Sequence, residues 1–206
     1  MKPRAAVKRQ VPPAAAIERG AGGEKFPVQT SRMKPDTNPS EVPKIAYLSL
    51  GSNVGNREAQ LRAAQVRLSA ITRVVALSSF YETEPVEYVQ QPWFLNCAVA
   101  IETNETPEQL ISALLRIEQE MGRQRAQKKG PRSIDIDILL LADRIMESKD
   151  LTIPHPAMHQ RRFVLEPLAE IAPEALHPVF KKTIRELLDE LPTGQAVRRI
   201  PPSANV

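Results

Sequence analysis

Gly130-Pro131-Arg132-Ser133-Ile134-Asp135-Ile136-Asp137-Ile138-Leu139-Leu140-Leu141 is a β-branched, alternating run with an apolar end. It reads as a strand, in which residues two apart share a face. Asp135 and Asp137 therefore project together, while Ile134, Ile136 and Ile138 point the other way, toward packed helices. Two carboxylates this close repel, and a cation between them resolves the conflict. Hard oxygen ligands without His or Cys favour Mg²⁺ over zinc, with the remaining ligands drawn from water and substrate phosphates. A bare Asp-x-Asp is a weak signal, since a solvated sheet face carries the same pattern. Its neighbours strengthen it. A basic loop, Arg123-Gln124-Arg125-Ala126-Gln127-Lys128-Lys129, leads through Gly130-Pro131 into Arg132 and the two aspartates. Arginine suits bidentate phosphate contact and aspartate suits the metal, which together is what a polyphosphate with Mg²⁺ requires.

Outward from this strand, the chain alternates elements in a recognisable order. Lys44 to Leu50 reads as a first strand, and Gly51-Ser52-Asn53-Val54-Gly55-Asn56 as a tight turn in which Asn56 caps a helix. The apolar positions of that helix include Leu61, Ala64, Val66, Leu68 and Ile71. The turn lacks both the Gly-Lys-Ser/Thr ending of a P-loop and the G-x-G-x-x-G spacing of a dinucleotide fold. Val74 to Tyr81 reads as one strand, followed by a polar loop from Thr83 to Pro92 of the length that often serves as a lid. Trp93 to Ile101 resumes as a strand, with Asn96 as an amide among apolar neighbours that needs a partner. Thr106-Pro107 opens a helix through Leu110, Leu114, Ile117 and Met121, which stops at Gly122 with Glu118 near its end. His155, between Pro154 and Pro156, sits in a rigid extended context that suits either ligand contact or a satisfied buried role. A last helix is predicted over Ile184 to Leu191, and residues 192–206 are expected to be loose. Strand, helix, strand, strand, helix, strand is the βαββαβ order of a ferredoxin-like α+β sandwich: an antiparallel sheet, helices packed on one face and the other left for a site, with additional C-terminal elements.

Composition narrows the partners. Residues 1–43 carry eight of the 28 Lys/Arg, four of the 24 Asp/Glu and seven of the 19 prolines, leaving 20 charges of each sign in the rest. The body is neutral, which removes the electrostatic case for a nucleic-acid binder. The Pro-rich, basic 1–43 segment has no sustained period and is expected to be disordered. The simpler hypothesis for its first 32 residues is an upstream extension, with Met33 as the true start. Residues 44–191 are expected to form the single folded domain. Cys97 is the only cysteine, which excludes an intramolecular disulfide. No apolar run approaches membrane-spanning length, and a cytoplasmic protein is expected.

Six segments in order, LSLGSNVGNRE, SSFYETEP, WFLNCAV, IEQEMGR, GPRSIDIDILL and IPHPAMHQRRFVLEPL, closely resemble the 6-hydroxymethyl-7,8-dihydropterin pyrophosphokinase family over about residues 44 to 191. The resemblance implies a ferredoxin-like fold and transfer of the terminal diphosphate of ATP to the pterin hydroxymethyl oxygen, leaving AMP, in folate biosynthesis. It implies two Mg²⁺ ions on Asp135 and Asp137, with Arg123 and Arg132 as catalytic-loop arginines. Arg125, His155 and Arg161 match ATP contacts, and Glu118 and Ile138 match positions near the nucleotide. Phe94 and Phe163 match the aromatics that sandwich the pterin ring, and Asn96 and Thr83 match the residues that bond its edge. A monomer acting on ATP and the pterin, without nucleic acid or membrane, is the expected form. Two departures stand out: Lys129 where many members carry an aromatic, in a loop one residue shorter than in some, and Pro156 where some carry an aromatic.

Overall fold

The computed structural model describes residues 42–86, 89–122 and 130–201. The expectations of disorder over 1–43 and of a start at Met33, and those for Arg123, Arg125 and Lys129, fall wholly or almost wholly outside these residues. The first strand, β1 (Lys44–Ser52), runs two residues further than the sequence suggests, taking Gly51 and Ser52 into the sheet. Asn56 then caps α1 (Arg57–Ile71) as predicted, its Oδ1 accepting from the Ala59 amide at 3.0 Å. Leu61, Ala64 and Leu68 form the buried stripe at i, i+3, i+7, while Val66 and Ile71 lie exposed off that stripe.

The expected strand over 74–81 is two strands, β2 (Arg73–Leu77) and β3 (Tyr81–Thr83). The break is stitched by Ser78, whose amide donates to the Ala98 carbonyl while its hydroxyl accepts from the Ala98 amide at 2.8 Å. A side chain thus stands in for a backbone rung. Both short strands pair with β4 (Phe94–Thr103), which also pairs with β1. Helix α2 (Pro107–Glu120) opens with a full capping box between Thr106 and Gln109, and Gly122 at φ +79° follows its end. Strand β5 (Asp135–Leu141) pairs antiparallel with the far edge of β1. The order β5-β1-β4-β2/β3 is that of the ferredoxin-like α+β fold.

The expectation of helices on one face only is corrected. α1 and α2 cover one face, over a core that includes Leu48, Leu50, Leu114, Ile136 and Ile138. After a two-strand ladder, β6 (Met146–Glu147) with β7 (Thr152–Ile153), a helix that the sequence reading lacks, α3 (Arg162–Ile171), packs on the second face with α4 (Ile184–Asp189). Pro167 inside α3 removes a backbone donor, which hides the helix from propensity rules. Its core joins Leu139 and Leu140 to Val164, Leu165 and Leu168. The site is therefore the uncovered end of this second face.

One irregularity lies between the two uses. Leu48 pairs with Ile138 but Tyr47 pairs with Leu140, so Leu139 is an extra residue on β5. Before it, the second face carries Asp135 and Asp137. After it, the same face carries leucines under α3. The tail also departs from expectation: β8 (Val197–Arg199) pairs with Tyr81–Thr83 as the outer strand of a six-stranded sheet, so this part of 192–206 is ordered structure and not a loose end.

Candidate active site

Register places the chemistry. Tyr81, Asn96, Gly51 and Asp135 face one another in a single row across β3, β4, β1 and β5. Asn96 and Asp135 are two strand spacings apart, about 10 Å. Between them Gly51 is the floor: a Cβ there would lie 2.6 Å from Asn96 Oδ1, so any side chain would push the amide aside. Asn96 Nδ2 donates to Thr83 Oγ1 at 2.7 Å, and both residues are nearly inaccessible, which orients a buried amide and hydroxyl at one end of the row. At the other end sit Asp135 and Asp137. Thr83, Phe94, Asn96, Arg132, Asp135, Asp137, Arg161 and Phe163, all predicted from sequence, line one cleft of about 260 Å³.

Each cleft aromatic has an arginine over it. The Arg132 guanidinium lies 5.8 Å from the Phe94 ring centre, and that of Arg161 lies 5.6 Å from Phe163. Arg132 also pairs with Asp135. Burial raises the Asp137 carboxyl well above the usual carboxylate range, with the charges of Asp135 and Glu118 adding to the rise and Arg161 and Arg132 opposing it. Two carboxylates held against repulsion, offering only hard oxygen donors, fit a divalent cation of the Mg²⁺ type. Among the described residues no group of three or more His, Cys, Asp or Glu converges on one point. The pair is thus an incomplete shell, the form in which Mg²⁺ takes its other ligands from water and phosphate.

Three predicted residues lie beside the cleft and not in it. Glu118 is buried at the end of α2, where Oε1 accepts from the Ile136 amide at 2.6 Å and so fixes the start of β5 behind the carboxylates. Ile138 is in the core under α1 and α2, on the face opposite Asp137. His155 lines a neighbouring groove of about 370 Å³ with His159, His177 and Phe180. Its amide donates to the Leu139 carbonyl and its Nδ1 accepts from the Ala157 amide. Burial, and then the Arg161 charge, lower its pKa, so the ring is neutral near pH 7. Cys97 is fully buried and its thiol is pushed up to about 12 by desolvation, as suits a core residue.

Sequence reading missed the residues that hold the walls. Asn53, in the turn after β1, accepts from the Arg132 amide at 2.8 Å through Oδ1, while its own amide donates to the Arg132 carbonyl. Its Nδ2 reaches Gln91 Oε1 at 3.0 Å and the Pro92 carbonyl. One buried side chain thus joins the segment bearing Arg132 to Gln91 and Pro92. Arg57 ties β3 to the residue just before β4, donating to Glu82 Oε1 at 2.7 Å and the Trp93 carbonyl at 2.8 Å. The only signal for Asn53 was a buried-type amide beside Gly51, and Arg57 read as an ordinary charge in a first helical turn.

Comparison with known proteins agrees with this geometry. Residues 47–173 match the family model described as 7,8-dihydro-6-hydroxymethylpterin-pyrophosphokinase. The chain is 49% identical over 129 residues to the Bacillus subtilis 2-amino-4-hydroxy-6-hydroxymethyldihydropteridine pyrophosphokinase, covering 62% of this chain and 77% of that protein. It is 45% identical over 152 residues to the Methylorubrum extorquens protein of the same name, covering 72% of this chain and 95% of that one. The Schizosaccharomyces pombe folic acid synthesis protein fol1 is 47% identical over 75% of this chain, but the match spans only 21% of that longer protein. Among solved structures, Plasmodium falciparum HPPK-DHPS wild type with pterin and p-hydroxybenzoate superposes with a TM-score of 0.59 at 18% identity. The superposition covers 75% of this chain and 42% of that one, a likeness of fold. By sequence match, fold and cleft together, the chain belongs to the 7,8-dihydro-6-hydroxymethylpterin-pyrophosphokinase family.

Proposed function

We propose that the cleft transfers the terminal diphosphate of ATP to the hydroxymethyl oxygen of 6-hydroxymethyl-7,8-dihydropterin, giving AMP and the pterin diphosphate, in folate biosynthesis. The observation that carries this reading is the cross-strand row in which an amide and hydroxyl pair and a carboxylate pair sit about 10 Å apart, flanked by two aromatics. Phe94 and Phe163 hold the flat pterin ring, where stacking is permissive, and Asn96 with Thr83 reads its polar edge, where hydrogen bonds discriminate. The hydroxymethyl group then points along the row toward Asp135 and Asp137.

Asp135 and Asp137 would hold two Mg²⁺ ions. When bound, the ions neutralise phosphate charge and help align the attacking oxygen. Arg132 and Arg161 bind the triphosphate and offset negative charge as the hydroxymethyl oxygen attacks the β-phosphorus and the α,β-bridging oxygen departs with AMP. Arg123 and Arg125 are assigned the same task from family position. Glu118, Ile138 and His155 are assigned to the nucleotide end, Glu118 through the Ile136 amide that it fixes. Positioning and electrostatics supply the rate, with no side chain needed as a strong base.

Action as a monomer on ATP and the pterin is part of the same proposal. No helix among the described residues is long and apolar enough to cross a membrane. A cytoplasmic setting suits an ATP-dependent reaction and a buried free thiol. The catalytic unit is proposed to start near residue 44 and to run through β8, not to stop at 191. The deciding experiment is product analysis with Mg²⁺-ATP and the pterin. AMP formed one-to-one with pyrophosphorylated pterin is expected; ADP would overturn the reading.

A further inference from the structure

We infer that Gln195, in the segment leading into β8, is a positioning residue of the pterin pocket, joining the two walls that the ring enters between. Its Nε2 donates to the Glu84 carbonyl at 3.3 Å, and its Oε1 accepts from the Phe163 amide at 3.3 Å. Its neighbour Ala196 completes the tie: the Glu84 amide donates to the Ala196 carbonyl, and the Ala196 amide donates to Glu84 Oε1 at 2.9 Å. Glu84 and Phe163 both line the cleft.

The Phe163 amide belongs to the first turn of α3, where backbone donors have no partner within the helix. Arg161, at the cap position, makes no side-chain capping bond. Gln195 fills that role from 32 residues further along the chain. A helix start is thereby capped by the same side chain that holds the opposite wall, so the orientation of Phe163 and the position of Glu84 are set together. The strand pairing of Val197 with Thr83 delivers Gln195 to this point, and Ile200 donates from its amide to the Phe80 carbonyl beyond it.

This role rests on the pterin reading of the cleft, and the test separates the two. In the full chain, Gln195→Ala is expected to raise KM for the pterin about fivefold, the effect of one ordinary hydrogen bond, with kcat and KM for ATP within about twofold. Amide hydrogen exchange at Phe163 and Glu84 is expected to quicken. Gln195→Glu keeps an acceptor for Phe163 but loses the donor to the Glu84 carbonyl, so Phe163 should stay protected while the pterin KM rises. An unchanged pterin KM in Gln195→Ala, or both KM values rising in parallel with a fall in Tm, would overturn the positioning role. If the wild type does not turn over the pterin, the functional reading fails. Exchange then tests the tie between the two walls by itself: unchanged protection at Phe163 in Gln195→Ala sinks that tie, and lost protection sustains it.

Discussion

The two faces of the sheet are built to different rules. The face under α1 and α2 is apolar along its whole length: Leu48, Leu50, Val99, Ile101, Ile136 and Ile138 meet Leu61, Leu68, Leu110 and Leu114. The face under α3 changes character along the strands, from Leu139, Leu140 and Ala98 at the covered end to Gly51, Asn96 and the two aspartates at the open end. Its cover is also fastened by polar groups. Glu170 of α3 accepts from the Tyr81 hydroxyl at 2.8 Å and from the Ser79 amide and hydroxyl, and pairs with Arg199 of β8. One face supplies stability chiefly by burial, and the other trades part of that burial for a cleft.

The comparison breaks most visibly at Asp137. Asp137→Ala should cut AMP formation by about 10³-fold, as loss of a preorganised charge in a catalytic cleft does. The melting temperature should hold, because the residue removed is a buried carboxyl facing a like charge. Near-normal turnover with Mg²⁺ present would refute the metal assignment. Leu165→Ala tests the covered end of the same face. Its side chain is fully buried, so unfolding in denaturant should show a loss of about 2–5 kcal/mol. Activity per folded molecule should survive, and a loss comparable with that of Asp137→Ala would mean that the two ends do not work separately. Gly51→Ala sits at the boundary. Its methyl would collide with Asn96, so the pterin KM should rise about tenfold with a stability cost of about 1–3 kcal/mol. An unaltered KM would show that Asn96 does not read the ring.

The smallest effect concerns the polar fastening. Burial tends to raise the Glu170 pKa, but the bonds from Tyr81 and Ser79 and the Arg199 charge outweigh it and hold it below the ordinary value. A depressed folded pKa contributes stability that is complete above the unfolded value and is lost as pH falls through the folded one. Between roughly pH 5 and pH 3 the wild-type melting temperature should therefore fall more steeply than that of Glu170→Gln. Parallel slopes would remove Glu170 from the account.

What was legible in the sequence was local. Period-two alternation located the strands, Asn56 and Thr106 with Pro107 marked the helix starts, and Asp135 with Asp137 announced their shared face because pleating alone dictates it. What stayed hidden depends on register between distant segments. Nothing near Gly51 says that Asn96 will stand opposite it, nor does Gln195 announce that it will cap a helix begun at Arg162. α3 was masked by Pro167, and the 74–81 strand was split because Ser78 offers a side-chain rung that β-propensity does not describe. Leu139-Leu140-Leu141 has no alternation from which an extra residue could be counted.

That extra residue at Leu139 has a consequence for how the protein tolerates change. It acts as a phase shift between two messages written on one strand. Point substitutions on either side are read in their own layer, and families of variants can drift in the leucines without disturbing the aspartates. A change in length has no such confinement. Removing a codon elsewhere on β5 would turn part of the strand over, but removing Leu139 itself would close the ladder with Ile138 still opposite Leu48 and Leu140 still opposite Tyr47, so this is the point on β5 where a deletion leaves both the aspartates and the remaining leucines on their own faces.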